Sequence, residues 1–186
     1  MCSNYRKVLI ASLENYQSLY SDEEKYKSRF LDLLQHPLAF KRELLHAHIT
    51  GSAWIVNKSF DNVLLIHHRK LDRWLQPGGH TDGHENVFEV AAKEVFEETG
   101  IQVEGLAEEP IFDIDIHVIP ERKEVPEHEH FDIRYLFAVD ENVLIKGNHE
   151  SNAIRWFDLE DIPDLVKHDQ SVVRMVDKTK VKKSLY

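Results

Sequence analysis

The chain has 186 residues, enough for one domain with a sizeable core plus an appended element, and 23 basic against 33 acidic residues give it a formal charge of −10. That balance excludes a general nucleic-acid-binding surface, which needs a basic excess to displace counterions, so an anionic small molecule would need a local basic patch or a metal. One cysteine, Cys2, allows no internal disulfide and suits a reducing, cytoplasmic setting, and the apolar run Val8 to Ala11 is too short for a signal peptide or a membrane span.

Residues 4–45 show helical periodicity. Tyr5, Val8, Leu9, Leu13 and Tyr16 fall on one face, and Tyr26, Phe30, Leu33 and Leu34 repeat the pattern. Ser21-Asp22-Glu23-Glu24 has the form of a capping box, and Pro37 disfavours helix at His36. The pattern predicts helices over 4–20 and 22–35 and a short turn over 38–45, an N-terminal extension of residues 1–45 ahead of a domain over 46–186. Its tyrosine-rich apolar face must pack on something: the sheet, a cleft, or a second copy in a homodimer.

Strand-forming composition follows at His48 to Val56 and Asn62 to His68, with a turn at Asp61-Asn62, then at Pro110 to Ile119, His130 to Val139 and Ala153 to Phe157. Strands on both sides of a helix point to a mixed sheet with helices packed on it. In HEHFDIRYLF, His128, His130, Asp132 and Arg134 alternate with Phe131, Ile133, Tyr135 and Phe137, so one strand face is apolar and the other is either a substrate-cleft wall or the wet side of a sheet. Pro120 to Glu129 reads as a charged loop, and Asp164 to Lys182 as a C-terminal helix whose lysines suit its dipole.

Between these strands lies PGGHTDGHENVFEVAAKEVFEETGI, Pro77 to Ile101. Asn86 with Glu89 starts a helix and Gly100 ends it, which predicts helix over 87–99. On it Phe88, Ala92, Val95 and Thr99 share one face, with Ala91 at its margin, and Glu94, Glu97 and Glu98 stand at i, i+3 and i+4 on the next. Three carboxylates so close repel one another unless they are solvated or neutralised, and hard oxygen ligands suit Mg²⁺ or Mn²⁺. The Pro77-Gly78-Gly79 turn offers a backbone carbonyl, that of Gly78, with no side chain in the way.

Gly79, Glu85, Lys93-Glu94-Val95, Glu97-Glu98, Gly100 and Ile101 resemble the signature of the Nudix hydrolases, with Lys93 where that signature has arginine. Six exact Gly and Glu matches coincide by composition with a probability of about 10⁻⁷ at a given start. The resemblance implies a Nudix-type α/β/α sandwich with a mixed sheet over 46–186. It also implies divalent-metal-dependent hydrolysis of a diphosphate linkage in a nucleoside diphosphate derivative or nucleotide. Glu94, Glu97 and Glu98 would then be metal ligands, Glu94 and Glu98 the catalytic pair with Glu94 able to orient or deprotonate the attacking water, and Gly79, Glu85 and Lys93 supports of the box. The general base is left open among a box glutamate and Glu127, Glu129 or Glu150.

Lysine keeps arginine's charge and loses its bidentate fork, and the place of Lys93 four residues after Glu89 also allows a surface ion pair. Arg69 and Trp74, in the His67 to Trp74 stretch, could hold phosphate and stack on a base, with His130 and Asp132 as further substrate contacts; Trp74 could equally be a packing anchor. His80 and His84 could touch substrate or metal, with plain solvent exposure the favoured reading. Substrate markers are missing: Pro110 and Pro120 both fall off the position of the ADP-ribose enzymes, the dinucleoside polyphosphate tyrosine is out of place, and the coenzyme A pattern is lacking. Two alternatives stay open: a catalytically silent Nudix-fold module that binds a nucleotide or a partner, and an isopentenyl-type diphosphate isomerase, for which Cys2 is a poor reactive thiol.

Overall fold

The structure, a computed structural model, describes residues 4–103, 110–122, 125–149, 151–167 and 169–185. Cys2 and Glu150, singled out in the sequence, lie outside the described residues. The chain order is α1 (Asn4–Asn15), α2 (Ser21–Leu33), β1 (Ala47–Asn57), β2 (Asn62–His68), β3 (Arg73–Leu75), β4 (Gly78–His80), α3 (Val87–Thr99), β5 (Asp113–Ile119), β6 (His128–Val139), β7 (Ser151–Asp158), α4 (Ile162–Leu165) and α5 (Gln170–Lys183). Two compact units share β1, α3 and β6: the first gathers described residues of 4–52, 78–91 and 110–135, the second those of 53–77, 92–103 and 136–185.

In the first unit β6 lies between β1 and β5, and β4 lies against β1, pairing Thr50 with His80 and Ser52 with Gly78. β5 and β6 are antiparallel in register from Asp113–Arg134 to Ile119–His128. The Glu129 N–H donates to the His46 carbonyl at 3.0 Å, and Thr50 and Ser52 donate to Asp132. β1 and β6 therefore advance in the same direction, which makes the sheet mixed, as expected.

The apolar faces of α1 and α2 find their partner within this unit. Leu9, Leu13, Phe30, Leu33 and Leu34 are buried, and the Phe30 ring meets Phe131 of β6 edge-on at 5.1 Å. Here α1 stops at Asn15, five residues early, because the chain turns to bring Ser18 to the start of α2. The Ser21 capping box does not form: Tyr20 occupies the cap position and makes no side-chain cap hydrogen bond, while the Ser18 N–H donates to Glu24 and its hydroxyl to Glu23. Glu23 is fully buried, and its Oε1 accepts from the Tyr16 hydroxyl at 2.6 Å and from the Ile114 N–H of β5 at 3.1 Å.

In the second unit β2 pairs antiparallel with β1, β3 and β7, the last along the register Asn62–Asp158 to His68–Ser151. Asn57 Oδ1 accepts from the Asp61 and Asn62 N–H groups and so closes the β1–β2 turn. Trp54, fully buried, donates its indole N–H to Thr179 of α5 at 2.9 Å. The expected single C-terminal helix is two, because Lys167 takes a left-handed φ of +54° and Asp169 then caps α5, accepting from Ser171 at 3.0 Å and Val172 at 3.4 Å. The terminal lysines are spent on exposed ion pairs, Lys180 with Glu160 and Lys183 with Asp61.

Candidate functional site

Helix α3 has the predicted bounds, and both predicted caps form. Asn86 accepts from the Glu89 N–H at 3.4 Å, and Gly100 takes φ +72°. Past that end the Lys146 N–H donates to the Thr99 carbonyl at 2.7 Å and the Asn148 amide to the Glu97 carbonyl at 3.0 Å, so the helix's last carbonyls are held by the 146–148 segment. In the packed face Ala91 is fully buried and Ala92 half-buried, which corrects the expected centre of the stripe by one residue.

The three glutamates meet different surroundings. Glu98 is 7% exposed, Glu94 is half-buried, and Glu97 is exposed with Lys93 Nζ 2.7 Å from its carboxylate. Lys93 thus pairs one turn forward, whereas the sequence suggested Glu89, which lies 3.5 Å from His84. Glu94, Glu97 and Glu98 lie on one helix at the predicted spacing. Among the described residues, the group of potential ligands gathered within 4.8 Å is a different one: His48, His80, His128 and His130.

Gly78 and Gly79 lie in β4, which the sequence did not show as a strand. A side chain at Gly78 would put Cβ 2.2 Å from Ser52 Oγ and 3.0 Å from its Cα, so close strand contact demands glycine there. Glu85 is held by the N-terminal extension: Arg6 of α1 reaches it at 2.5 Å, hydrogen-bonds the His36 and Pro37 carbonyls, and lies 4.9 Å over the Phe40 ring. Sequence reading missed this support because the two residues are 79 apart.

Asp132 belongs to a buried charge cluster. Arg134, 3% exposed at its side chain, donates to Asp113 at 3.1 Å, Asp115 at 3.2 Å and Asp132 at 2.9 Å, and Asp132 also accepts from Thr50 at 3.0 Å and Ser52 at 2.7 Å. Three carboxylates around it push the Arg134 pKa up despite its burial. The polar face of β6 is therefore not the wet side of a sheet. Asp132 is thus held by Arg134, Thr50 and Ser52, and His130 stands in the histidine group.

Trp74 is half-buried between His67, edge-on at 5.0 Å, and Phe157 at 4.7 Å, which is the packing-anchor arrangement. Arg69 is exposed and donates to Asn152 at 3.2 Å. Glu129 is engaged by Arg29 at 2.5 Å, and Glu127 is exposed.

Comparison with known proteins agrees with this arrangement. The NUDIX domain family matches residues 47–176. The mouse asymmetrical bis(5'-nucleosyl)-tetraphosphatase is 32% identical over 112 residues, 60% of this chain and 73% of that protein. The Escherichia coli phosphatase NudJ is 34% identical over 94 residues, 48% of this chain, which spans about half (54%) of that relative's length. A MutT NUDIX hydrolase structure from Burkholderia pseudomallei superposes with a TM-score of 0.57 at 21% identity, covering 72% of this chain and 98% of that one, and so shares the α/β sandwich with its mixed sheet. No described helix is long and apolar enough to cross a membrane. With a family match over more than half its length and the box glutamates on one capped helix, the chain belongs to the NUDIX family of hydrolases.

Proposed function

We propose that this NUDIX diphosphohydrolase uses a divalent cation, Mg²⁺ with Mn²⁺ as substitute, held by Glu94, Glu97 and Glu98, to cleave a diphosphate linkage in a nucleotide or nucleoside diphosphate derivative. The observation that carries the reading is the placement of Glu94, Glu97 and Glu98 at i, i+3 and i+4 on the capped helix α3. Three carboxylates so placed form an oxygen-only donor set, which fits a hard cation. When bound, such an ion screens phosphate charge and lowers the pKa of a water.

The chain's own part is positional. The caps at Asn86 and Gly100 fix the carboxylates along the helix, Lys93 restrains Glu97, and Glu94, half-buried, orients a water and takes its proton. Arg6 fixes Glu85, so residues 1–45 act as a brace for the domain over 46–186. The relatives' names favour nucleoside polyphosphates: the mouse protein is named for a bis-nucleosyl tetraphosphate. A single cysteine suits the cytoplasm.

The test is phosphate or nucleotide release from dinucleoside polyphosphates, nucleoside triphosphates, nucleoside diphosphate sugars and ADP-ribose, with Mg²⁺ or Mn²⁺ and Glu98→Gln as control. Metal-dependent turnover that falls by roughly two orders of magnitude or more in the variant is expected. Metal-dependent nucleotide binding without turnover on any substrate would replace this reading with the silent binding module.

A further inference from the structure

The first unit contains a group of side chains that the box chemistry does not use. His48 comes from β1, His80 from β4, and His128 and His130 from β6, and one ring nitrogen of each lies within 4.8 Å of the others. Ring centroids stand 5.0 Å apart for His48 with His128 and with His130, 4.9 Å for His80 with His130, and 5.1 Å for His48 with His80. His48 and His128 are 4% and 8% exposed.

Two of the four rings are already set in the tautomer that a ligand needs. His128 Nδ1 lies 2.8 Å from the Pro126 carbonyl and His48 Nδ1 lies 3.4 Å from the Leu44 carbonyl. A carbonyl only accepts, so each Nδ1 carries the proton and each Nε2 presents its lone pair, the arrangement in which a backbone carbonyl fixes a metal-binding imidazole. His48 Nε2 is buried with no hydrogen-bond partner, and His128 Nε2 lies 3.2 Å from His130 Nε2. Burial and crowding also hold His48, His80 and His130 neutral: desolvation pulls His48 down, His80 to about 4 and His130 to about 2.

Acidic residues stand further along strands β5 and β6. Asp113, Asp115 and Asp132 surround the single cation Arg134, a formal charge of −2 for the four, and Asp115 also holds His117, whose ring is 5.5 Å from His130.

The geometry points to a second metal site in this chain, in which His48, His80, His128 and His130 bind one late first-row divalent cation, Zn²⁺ in the first instance, and tie β1, β4 and β6 together. Imidazole nitrogens select zinc and its neighbours over magnesium, which prefers oxygen. Zinc–nitrogen bonds of about 2.0 Å in a tetrahedron set the nitrogens about 3.3 Å apart, reachable from the present spacing by side-chain rotation. Four protein ligands close the shell and leave no position for a reacting water, so the site is structural.

The experiment loads the metal-free full-length protein with Zn²⁺ or Co²⁺, dialyses it in excess Mg²⁺, and measures bound metal together with the cobalt visible spectrum. About one ion per chain is expected, with tetrahedral cobalt absorption and a raised Tm. His80→Gln with His130→Gln, both half-exposed positions, should lose the ion while Glu94→Gln with Glu98→Gln keeps it. Retention in the histidine variant, or loss in the glutamate variant only, overturns the proposal, as does failure of the wild-type chain to hold any of Zn²⁺, Co²⁺, Ni²⁺ or Cu²⁺. Should the histidine variant not fold, X-ray absorption of the zinc-loaded wild-type protein decides: a shell of imidazole nitrogens supports the site and an oxygen-rich shell refutes it.

Discussion

Replacing Arg6 with methionine should destabilise the protein far more than an ordinary change in a terminal helix. Arg6 and Glu85 meet at 2.5 Å with side chains only 11% and 21% exposed. Breaking a fully buried pair from one side costs about 3–5 kcal/mol, and the residual solvent here reduces that to about 2 kcal/mol. Losing the guanidinium over Phe40 adds about 0.5 kcal/mol. Methionine keeps the stem's bulk, so the sum of about 2–3 kcal/mol reports the head group. At about 2–4 °C per kcal/mol for a chain of this size, Tm should fall by about 4–12 °C. A double-mutant cycle with Glu85→Gln, read by urea denaturation, should give a coupling of about 1–2 kcal/mol, and additivity within about 0.3 kcal/mol would refute the brace.

Gly78→Ala should cost about 1–3 kcal/mol by urea denaturation through overpacking against Ser52, and Ser52→Gly should recover part of it; an additive double variant would show that the contact is not the cause. Thr179→Val leaves the Trp54 indole N–H without its acceptor inside the core and should cost about 1–3 kcal/mol, measured by thermal melting, whereas a neutral result would mean the pair carries no net stability. Lys93→Arg should preserve or raise turnover, since arginine can grip Glu97 through two N–H groups where lysine offers a point charge, and a large loss of activity would contradict the account of the box.

What could be read from sequence followed the range over which each signal acts. Helix α3 was legible to the residue because its period, Asn86 cap and Gly100 stop are all local. β2 was legible for the same reason. β3 and β4 were not, since three-residue strands carry no period and two of the three residues of β4 are glycine, its pairing set by contact with Ser52. The Nudix resemblance located the glutamates, but Arg6, the partner that holds Glu85, lies outside the box. His80 and His130 were singled out in the sequence, but their grouping with His48 and His128 was not, because that set is assembled from three strands. The His-x-His of β6 beside Asp132 and Arg134 was the available signal: four polar residues on one strand face need buried partners if that face is covered.

Glu23 has a consequence of another kind. Its carboxylate takes the outward N–H of Ile114 on β5, the last strand beyond β6, so a helix side chain occupies a donor that an edge strand would otherwise offer to another chain. The segment ahead of the family match thus guards against intermolecular strand addition. A version trimmed to residues 47–176 would lose that carboxylate together with Phe30's cover over Phe131, and its outcome would be self-association along β5 rather than a smaller enzyme.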